Sequence, residues 1–410
     1  MNVTIAPDQL AIPVRGERLP WAALSVMALL GFVLISTETM PAGLLPQMAA
    51  GMDTSEGTIG QFVSAYALGT VVVTIPAITL TRGMRRKRLL LIGITGFLVV
   101  NIVTALSTDV ALSLGARFIA GAFSGMLWGM LAGYALRITS PQHRGRALAI
   151  VSAGAPIGIA VGTPIGSWVG ANLDWRWSFG GLSILTLILI ALAAAFVPGV
   201  SGQPATSRLA LGRVFGIPGI ATILVVVFVW MLAHSTTYIY IAPYLRTATA
   251  GPNVELALVV FGVASVIGIA VTGAIIDRHR RLLLFSSIAL FAAAGVVLFL
   301  GHQSVVAVLV AITLWGVTFG GMPAQMQAAM SDVSGENADV ANAFLPVSYN
   351  IAIFAAGVLG AALVDNFDGL SLPMVMSGLA ILVLGVAFSG RDMAFPARRH
   401  GPGDFDDCSG

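Results

Sequence analysis

Charge and cysteine are what this 410-residue chain has least of. Asp, Glu, Lys and Arg together make up 10% of it, against about 25% in soluble proteins. The basic residues stand in short loops between apolar runs rather than on one charged face, which excludes a nucleic-acid-binding module. The single cysteine, Cys408, sits in the closing FDDCSG and excludes an intrachain disulfide. The five histidines, 143, 234, 279, 302 and 400, are scattered with no metal-ligand spacing, so no metal and no cofactor is expected. Neither Gly-x-Ser-x-Gly nor His-Glu-x-x-His occurs, which argues against a membrane-embedded protease or acyl transferase.

What fills the chain instead is apolar sequence: 57% of residues are hydrophobic. Segments of about 20 apolar residues span a bilayer. Twelve such segments are expected, at 21–46, 57–80, 88–107, 110–137, 144–170, 178–198, 218–245, 255–276, 282–301, 304–330, 339–364 and 370–390. The run from Trp21 to Pro46 is too long for a signal-peptide core and reads as an uncleaved span. The Gly-, Pro- and Ser-rich stretch 199–217 divides the spans into two sets of six. The expected organisation is a tail at 1–20, a six-helix bundle at 21–198, the linker at 199–217, a second six-helix bundle at 218–390 and a tail at 391–410. The fold class is all-α and polytopic.

Orientation follows from charge. With the N-terminus inside, all of the 21 Lys and Arg except Arg117, Arg176 and Arg246 fall in cytoplasmic segments. Both termini are therefore expected in the cytoplasm of a multi-pass inner (plasma) membrane protein, in contact with lipid and monomeric. Displacing the sequence by 196 residues lays Thr81 on Asp277, Arg82 on Arg278 and Phe123–Met126 on Phe319–Met322. Internal repeats of this kind build transporters whose substrate site lies near the midplane, between the halves. A channel or receptor explains the repeat less well.

Glycine recurs every fourth residue at 154, 158, 162, 166 and 170. Residues four apart share a helix face, so the five form a groove in which another helix can approach backbone to backbone. Pro156 and Pro164 predict kinks. A packing seam alone would account for the spacing as well as a transport role does.

Glu38 is the one acidic residue placed well inside an apolar span. An ionisable group at that depth is costly and marks a functional path; a structural carboxyl is the alternative. Arg117 is its candidate partner. Glu38 stands eight residues before Pro46 and Arg117 eight after Asp109, so both lie about 12 Å deep; Arg117 also suits a helix-packing clamp. His234 falls on Glu38 under the 196-residue displacement and is a second candidate for proton coupling, or else a hydrogen-bonded structural residue. Gln61, Tyr66, Met126, Tyr238, Met322, Gln325 and Asn350 are candidate cavity residues, since small-molecule pockets are apolar with a few placed polar groups and methionine suits adaptable surfaces. Each methionine reads equally as core or lipid-facing filler.

Several motifs resemble the drug:proton antiporters of the major facilitator superfamily. Gly158, Gly162, Pro164 and Gly166 are similar to that family's helix 5 glycine-proline motif, with Thr163 between the usual adjacent pair. Thr81 to Arg88 resembles its basic loop motif, with Ala77 and Thr81 in place of glycine and aspartate; the second copy, Gly273, Asp277, Arg278 and Arg280, is truer. Arg117 to Gly121 resembles its helix 4 arginine motif, and Asp174 to Phe179 a turn common in its exporters. The run from Thr37 to Pro46 is similar to sugar-efflux, purine-efflux and chloramphenicol-type exporters. The resemblance implies a twelve-helix fold, alternating access, and Arg82, Asp277 and Arg278 as conformational latches. It also implies proton-coupled efflux, of the kind that underlies multidrug resistance, of a drug, sugar or nucleoside. Proton-coupled import is the alternative function, and a membrane-embedded enzyme a remote one.

Overall fold

The computed structural model describes residues 19–81, 83–201, 215–248 and 251–395. Arg82, most of the 199–217 linker and the tails before 19 and after 395, with Cys408, lie outside the described residues. Twelve spans follow in order. The first four are α1 Trp21–Gly51, α2 Glu56–Leu80, α3 Arg86–Leu106 and α4 Val110–Arg137. A broken α5 covers 144–172, and α6 is Trp175–Phe196. Then come α7 Ile220–Ile239 with its continuation Ile241–Thr247, α8 at 254–278, α9 at 280–300, α10 Val305–Ser334, α11 Val340–Asn366 and α12 Ser371–Ser389.

Two of the expected spans, 255–276 and 282–301, run together as Val254–Leu300. Its 47 residues extend about 70 Å, more than twice the ~30 Å bilayer core, so it holds two spans. The joint is His279 alone, with φ −133° and ψ 42°. Asp277-Arg278-His279-Arg280-Arg281 contains no Gly or Pro to end a helix, and the chain turns on that residue instead of forming a loop.

Several helices start where the sequence supplies an acceptor. Asp109 caps α4 by accepting from the Leu112 amide at 2.6 Å, Asp174 caps α6 from Arg176 at 2.8 Å, and Asn253 caps α8 from Leu256 at 3.0 Å. Capping satisfies amides that a helix start leaves unpaired. The caps fall at the end of the bundle opposite Arg85–Arg88 and Arg280–Arg281, hereafter the basic end.

The halves repeat in their packing. In the first, α2 meets α4 so closely that a methyl on Gly121 would strike the Tyr66 carbonyl. In the second, α8 meets α10 with Gly320 against the Ser265 carbonyl. Across the halves, α2 packs on α11 and α5 on α8. The expected pseudo-symmetric pair of six-helix bundles is the architecture found.

The glycine groove of α5 is filled by α1. Gly154 faces Ala28, Gly158 faces Phe32 and Ile35, Gly162 faces Ser36, Gly166 faces Met40 and Gly170 faces Leu44. The two helices stay in register over the whole stretch, four residues for four. A Cβ at Gly158 or at Gly162 would lie 3.0 Å from Phe32 atoms and strike α1 side chains. Residues Gly158–Gly162 form a π-turn just before Pro164, a common way for a helix to absorb an inserted irregularity. Thr163 bonds Thr39 at 2.6 Å, and Ser167 donates to the Gly43 carbonyl at 2.9 Å. The seam is thus sealed by polar contacts as well as by close approach.

Candidate functional site between the halves

A cavity of about 80 Å³ opens on the seam between the bundles. From the first half α1 contributes Glu38 and Thr39; from the second, α7 contributes His234 and Tyr238, α8 Phe261 and α10 Phe319. Ile35, Ile159 and Ile353 complete a mostly apolar wall. Glu38 is the one acidic side chain lining it among the described residues.

Glu38 and Arg117 are neighbours, as their equal depth predicts. The contact differs from a simple ion pair. Arg117 is fully buried; its Nη2 donates to the Glu38 backbone carbonyl at 3.5 Å and its Nε to the Phe62 carbonyl at 3.3 Å. The guanidinium carbon lies 4.7 Å from the centre of the Tyr66 ring, a cation–π distance. Nη1 is buried without a bond. Arg117 is thus tied to the backbones of α1 and α2, while the Glu38 side chain lines the cavity.

His234 sits in an aromatic nest. Its ring stacks on Phe319 at 3.4 Å between centroids and 11° between planes, with Tyr238 at 5.3 Å and Phe261 at 5.6 Å. The Trp315 indole donates to His234 Nδ1 at 3.0 Å.

Of the seven expected cavity residues, Tyr238 lines the cavity. The other six are elsewhere in this structure, each for a visible reason. Gln61 donates to the Gly357 carbonyl at 2.9 Å and belongs to the α2–α11 contact. Tyr66 is fully buried, donating to the Leu34 carbonyl at 3.3 Å. Met126 packs on Gly93 inside the first bundle, and Met322 is fully buried in the second. Gln325 donates to Ser287 at 3.1 Å, towards the basic end. Asn350 bonds the Pro346 carbonyl of its own helix at 2.9 Å. Helical position in the sequence marks membrane depth only coarsely and facing not at all: Gln61 and Gln325 lie towards opposite ends of the bundle, and the other four face away from the cavity. Phe261, Trp315 and Phe319 were missed because isolated aromatics in apolar spans carry no spacing signal.

The end away from the basic loops is closed. Arg246 grips Glu56 through two bonds, Nη1 to Oε1 and Nη2 to Oε2, the second 2.7 Å. The bonded carboxylate raises the Arg246 guanidinium above its ordinary value. Tyr240 donates to Gly357 at 2.8 Å and to Gly57 at 3.3 Å, and Ser64 to Phe354 at 3.1 Å. At the basic end, Asp277 and Arg278 close α8 just before the His279 joint, and Arg280 pairs with Asp332. Arg82, the expected first-half latch, lies outside the described residues.

Two repeated helix bundles facing each other across a small apolar cavity define a polytopic membrane transporter. Comparison gives the family. The Major Facilitator Superfamily model matches residues 27–338 and 223–404, and the chain belongs to that superfamily. Probable sugar efflux transporters from three strains of Helicobacter pylori are 25% identical over 361 residues, covering 88% of this chain and 92% of theirs. A crystal structure of a point mutant of the nucleoside transporter NupG superposes with a TM-score of 0.75 at 14% identity, over 92% of this chain and all of that one. The resemblance read from the loop and helix 5 motifs is thereby met at the level of the superfamily, whose members are transporters.

Proposed function

We propose that the protein is a proton-coupled exporter of a small organic molecule, working by alternating access. The observation that carries this reading is Glu38: a lone acidic side chain among the described residues of a cavity between the two bundles. Coupling to protons needs a group that changes charge within the transport path. The Glu38 side chain lines the cavity, and Arg117 is bonded to the backbone of the same residue. Substrate and proton can then exclude each other at one place, which is the requirement of an antiporter. The halves divide at 199–217, and the protein acts as a monomer in the inner membrane. By the distribution of basic residues the basic end is cytoplasmic, so the state described is shut on the outside through Glu56–Arg246 and the α2–α11 contact. Asp277, Arg278 and Arg82 serve as the inner latches.

The substrate class favoured is sugar-like. The curated relatives are probable sugar efflux transporters, and the cavity combines aromatic faces with a few hydrogen-bonding groups. The test is accumulation by everted vesicles of labelled sugars, nucleosides and lipophilic cationic drugs, with and without a proton gradient. Uptake of a sugar that rises with an inside-acid gradient is expected. Uptake by right-side-out vesicles along with protons would make the protein a symporter instead. Epitope tags at about residues 5 and 405 should be reachable only from the cytoplasm; labelling of either from outside overturns the orientation.

A further inference from the structure

We propose that His234 is a neutral hydrogen-bond donor to the transported molecule, held as its Nε2–H tautomer by Trp315, and not a second proton carrier. The proposal rests on the reading of the seam cavity as the substrate path. It names the chemistry that the cavity selects: an uncharged molecule offering a hydroxyl, ether or carbonyl oxygen.

The tautomer follows from the partner. An indole nitrogen is a donor only. Trp315 Nε1 lies 3.0 Å from His234 Nδ1, so Nδ1 supplies the lone pair and carries no proton. A neutral imidazole with an accepting Nδ1 has its one proton on Nε2. Protonating Nδ1 would set two N–H groups against each other and orphan a buried indole; Trp315 is itself 1% exposed. The ring cannot swing away to relieve this. Phe319 covers one face at 3.4 Å and Tyr238 and Phe261 stand at 5.3 and 5.6 Å.

The histidine borders the cavity. His234 is 6% exposed and lines the cavity wall. Among the described residues, no hydrogen-bond partner takes up Nε2, although Nδ1 is satisfied. That N–H is left free to donate to a ligand oxygen. The titratable groups sharing the cavity are Glu38 from α1 and Tyr238 from α7 itself. The other helices present apolar side chains: Ile159 from α5, Phe261 from α8, Phe319 from α10 and Ile353 from α11. A cationic substrate would meet the positive end of an N–H dipole here, and an uncharged one would not be opposed. Trp315 is the positioning residue: it touches the histidine and fixes which nitrogen faces the path.

Nitrogen NMR of the full-length protein in nanodiscs, with isotope-labelled histidine, tests this without any substrate. The His234 signals are assigned by their loss in His234→Gln. A single neutral Nε2–H tautomer, unmoved between about pH 5 and about pH 8, is expected. In Trp315→Phe, which keeps an aromatic ring but no donor, the same ring should show mixed tautomers or titrate. An imidazolium or an Nδ1–H form in the parent would overturn the proposal, as would an unchanged spectrum in Trp315→Phe. A transport arm uses whichever labelled sugar the parent accumulates. The Gln amide reaches the Nε2 position and can donate there; the Asn amide reaches only Nδ1. His234→Gln should keep most of the uptake and His234→Asn should lose about tenfold, the scale of one hydrogen bond to a buried partner. Equal uptake by the two would overturn the donor role. If no sugar is accumulated, the functional reading fails while the NMR result still decides the tautomer.

Discussion

Glu38 and His234 occupy the same place in the two halves of the repeat, 196 residues apart, and face one cavity. They are held in opposite ways. Glu38 has a charged neighbour: Arg117 is bonded to its carbonyl and lies 4.7 Å from the centre of the Tyr66 ring. His234 is packed instead against neutral groups, three stacked rings and an indole donor. A duplicated framework has thus been given a chargeable wall on one side and a neutral aromatic wall on the other. On the function proposed above, one half would respond to protons while the other holds an uncharged molecule.

The largest effect should come from removing the chargeable side. Glu38→Gln keeps the size and hydrogen bonding of the protonated acid but cannot ionise. Proton-driven accumulation in everted vesicles should fall to the level seen without a gradient, while exchange of substrate across a collapsed gradient persists. His234→Gln in the same vesicles should remain responsive to the gradient. If Glu38→Gln accumulates substrate as well as the parent does, the carboxyl is structural and the contrast between the walls has no functional meaning.

Much of this was readable beforehand. The spans, the 196-residue repeat, the lone acid of α1 and the depth of Arg117 all follow from composition, charge and counting, because bilayer thickness and helix rise are fixed quantities. The rotation of each helix about its axis was less legible. Met126 points into the first-half core, while Gln61 and Gln325 lie towards opposite ends of the bundle, at the α2–α11 contact and beside Ser287. In lipid, apolar residues line the core and the outside alike, so the amphipathic signal that orients a helix in water is absent. The nest around His234 was illegible for the same reason: Phe261, Trp315 and Phe319 come from two helices whose facing only packing decides. The joint at His279 replaced an expected loop because no residue there breaks a helix.

The second contrast between the halves is in packing. Gly162 of α5 falls on Val358 of α11 under the displacement. Gly162 is buried against Ser36 and Phe32 of α1, whereas Val358 is 48% exposed. Gly162→Leu should therefore lower stability by about 1–3 kcal/mol, the usual cost of overpacking, and slow transport wherever the seam must shift. Val358→Leu should change stability by less than about 0.5 kcal/mol, as exposed substitutions do. Thermal unfolding in detergent, read by intrinsic fluorescence, compares the two directly. Similar losses at both sites would show that α5 and α11 are equally packed and that the glycine groove is not special to the first half.

The smallest effect should come from the contact that joins the halves at the closed end. Arg246 grips Glu56 with both nitrogens, but its side chain is 56% exposed while that of Glu56 is 15% exposed. Exposed ion pairs are worth about 0–1 kcal/mol and weaken with salt. Breaking this one with Arg246→Ala should shift the balance between closed and open outer ends by no more than about fivefold. Cys408 is the only cysteine, so in a Cys408→Ser background one engineered cysteine reports the opening without interference. Tyr240 offers a site, because its hydroxyl bonds Gly357 and Gly57 across the same seam; to leave that contact intact, the cysteine is better placed at Ser64, which donates to Phe354 beside it. Alkylation of Ser64→Cys from the outside should speed up modestly in Arg246→Ala, and high salt should speed the parent towards the same rate. An increase of a hundredfold would mean that the ion pair, rather than the hydrogen-bonded α2–α11 contact, holds the outer end shut. No increase at all would mean that the hydrogen bonds of Gln61, Ser64 and Tyr240 suffice without it.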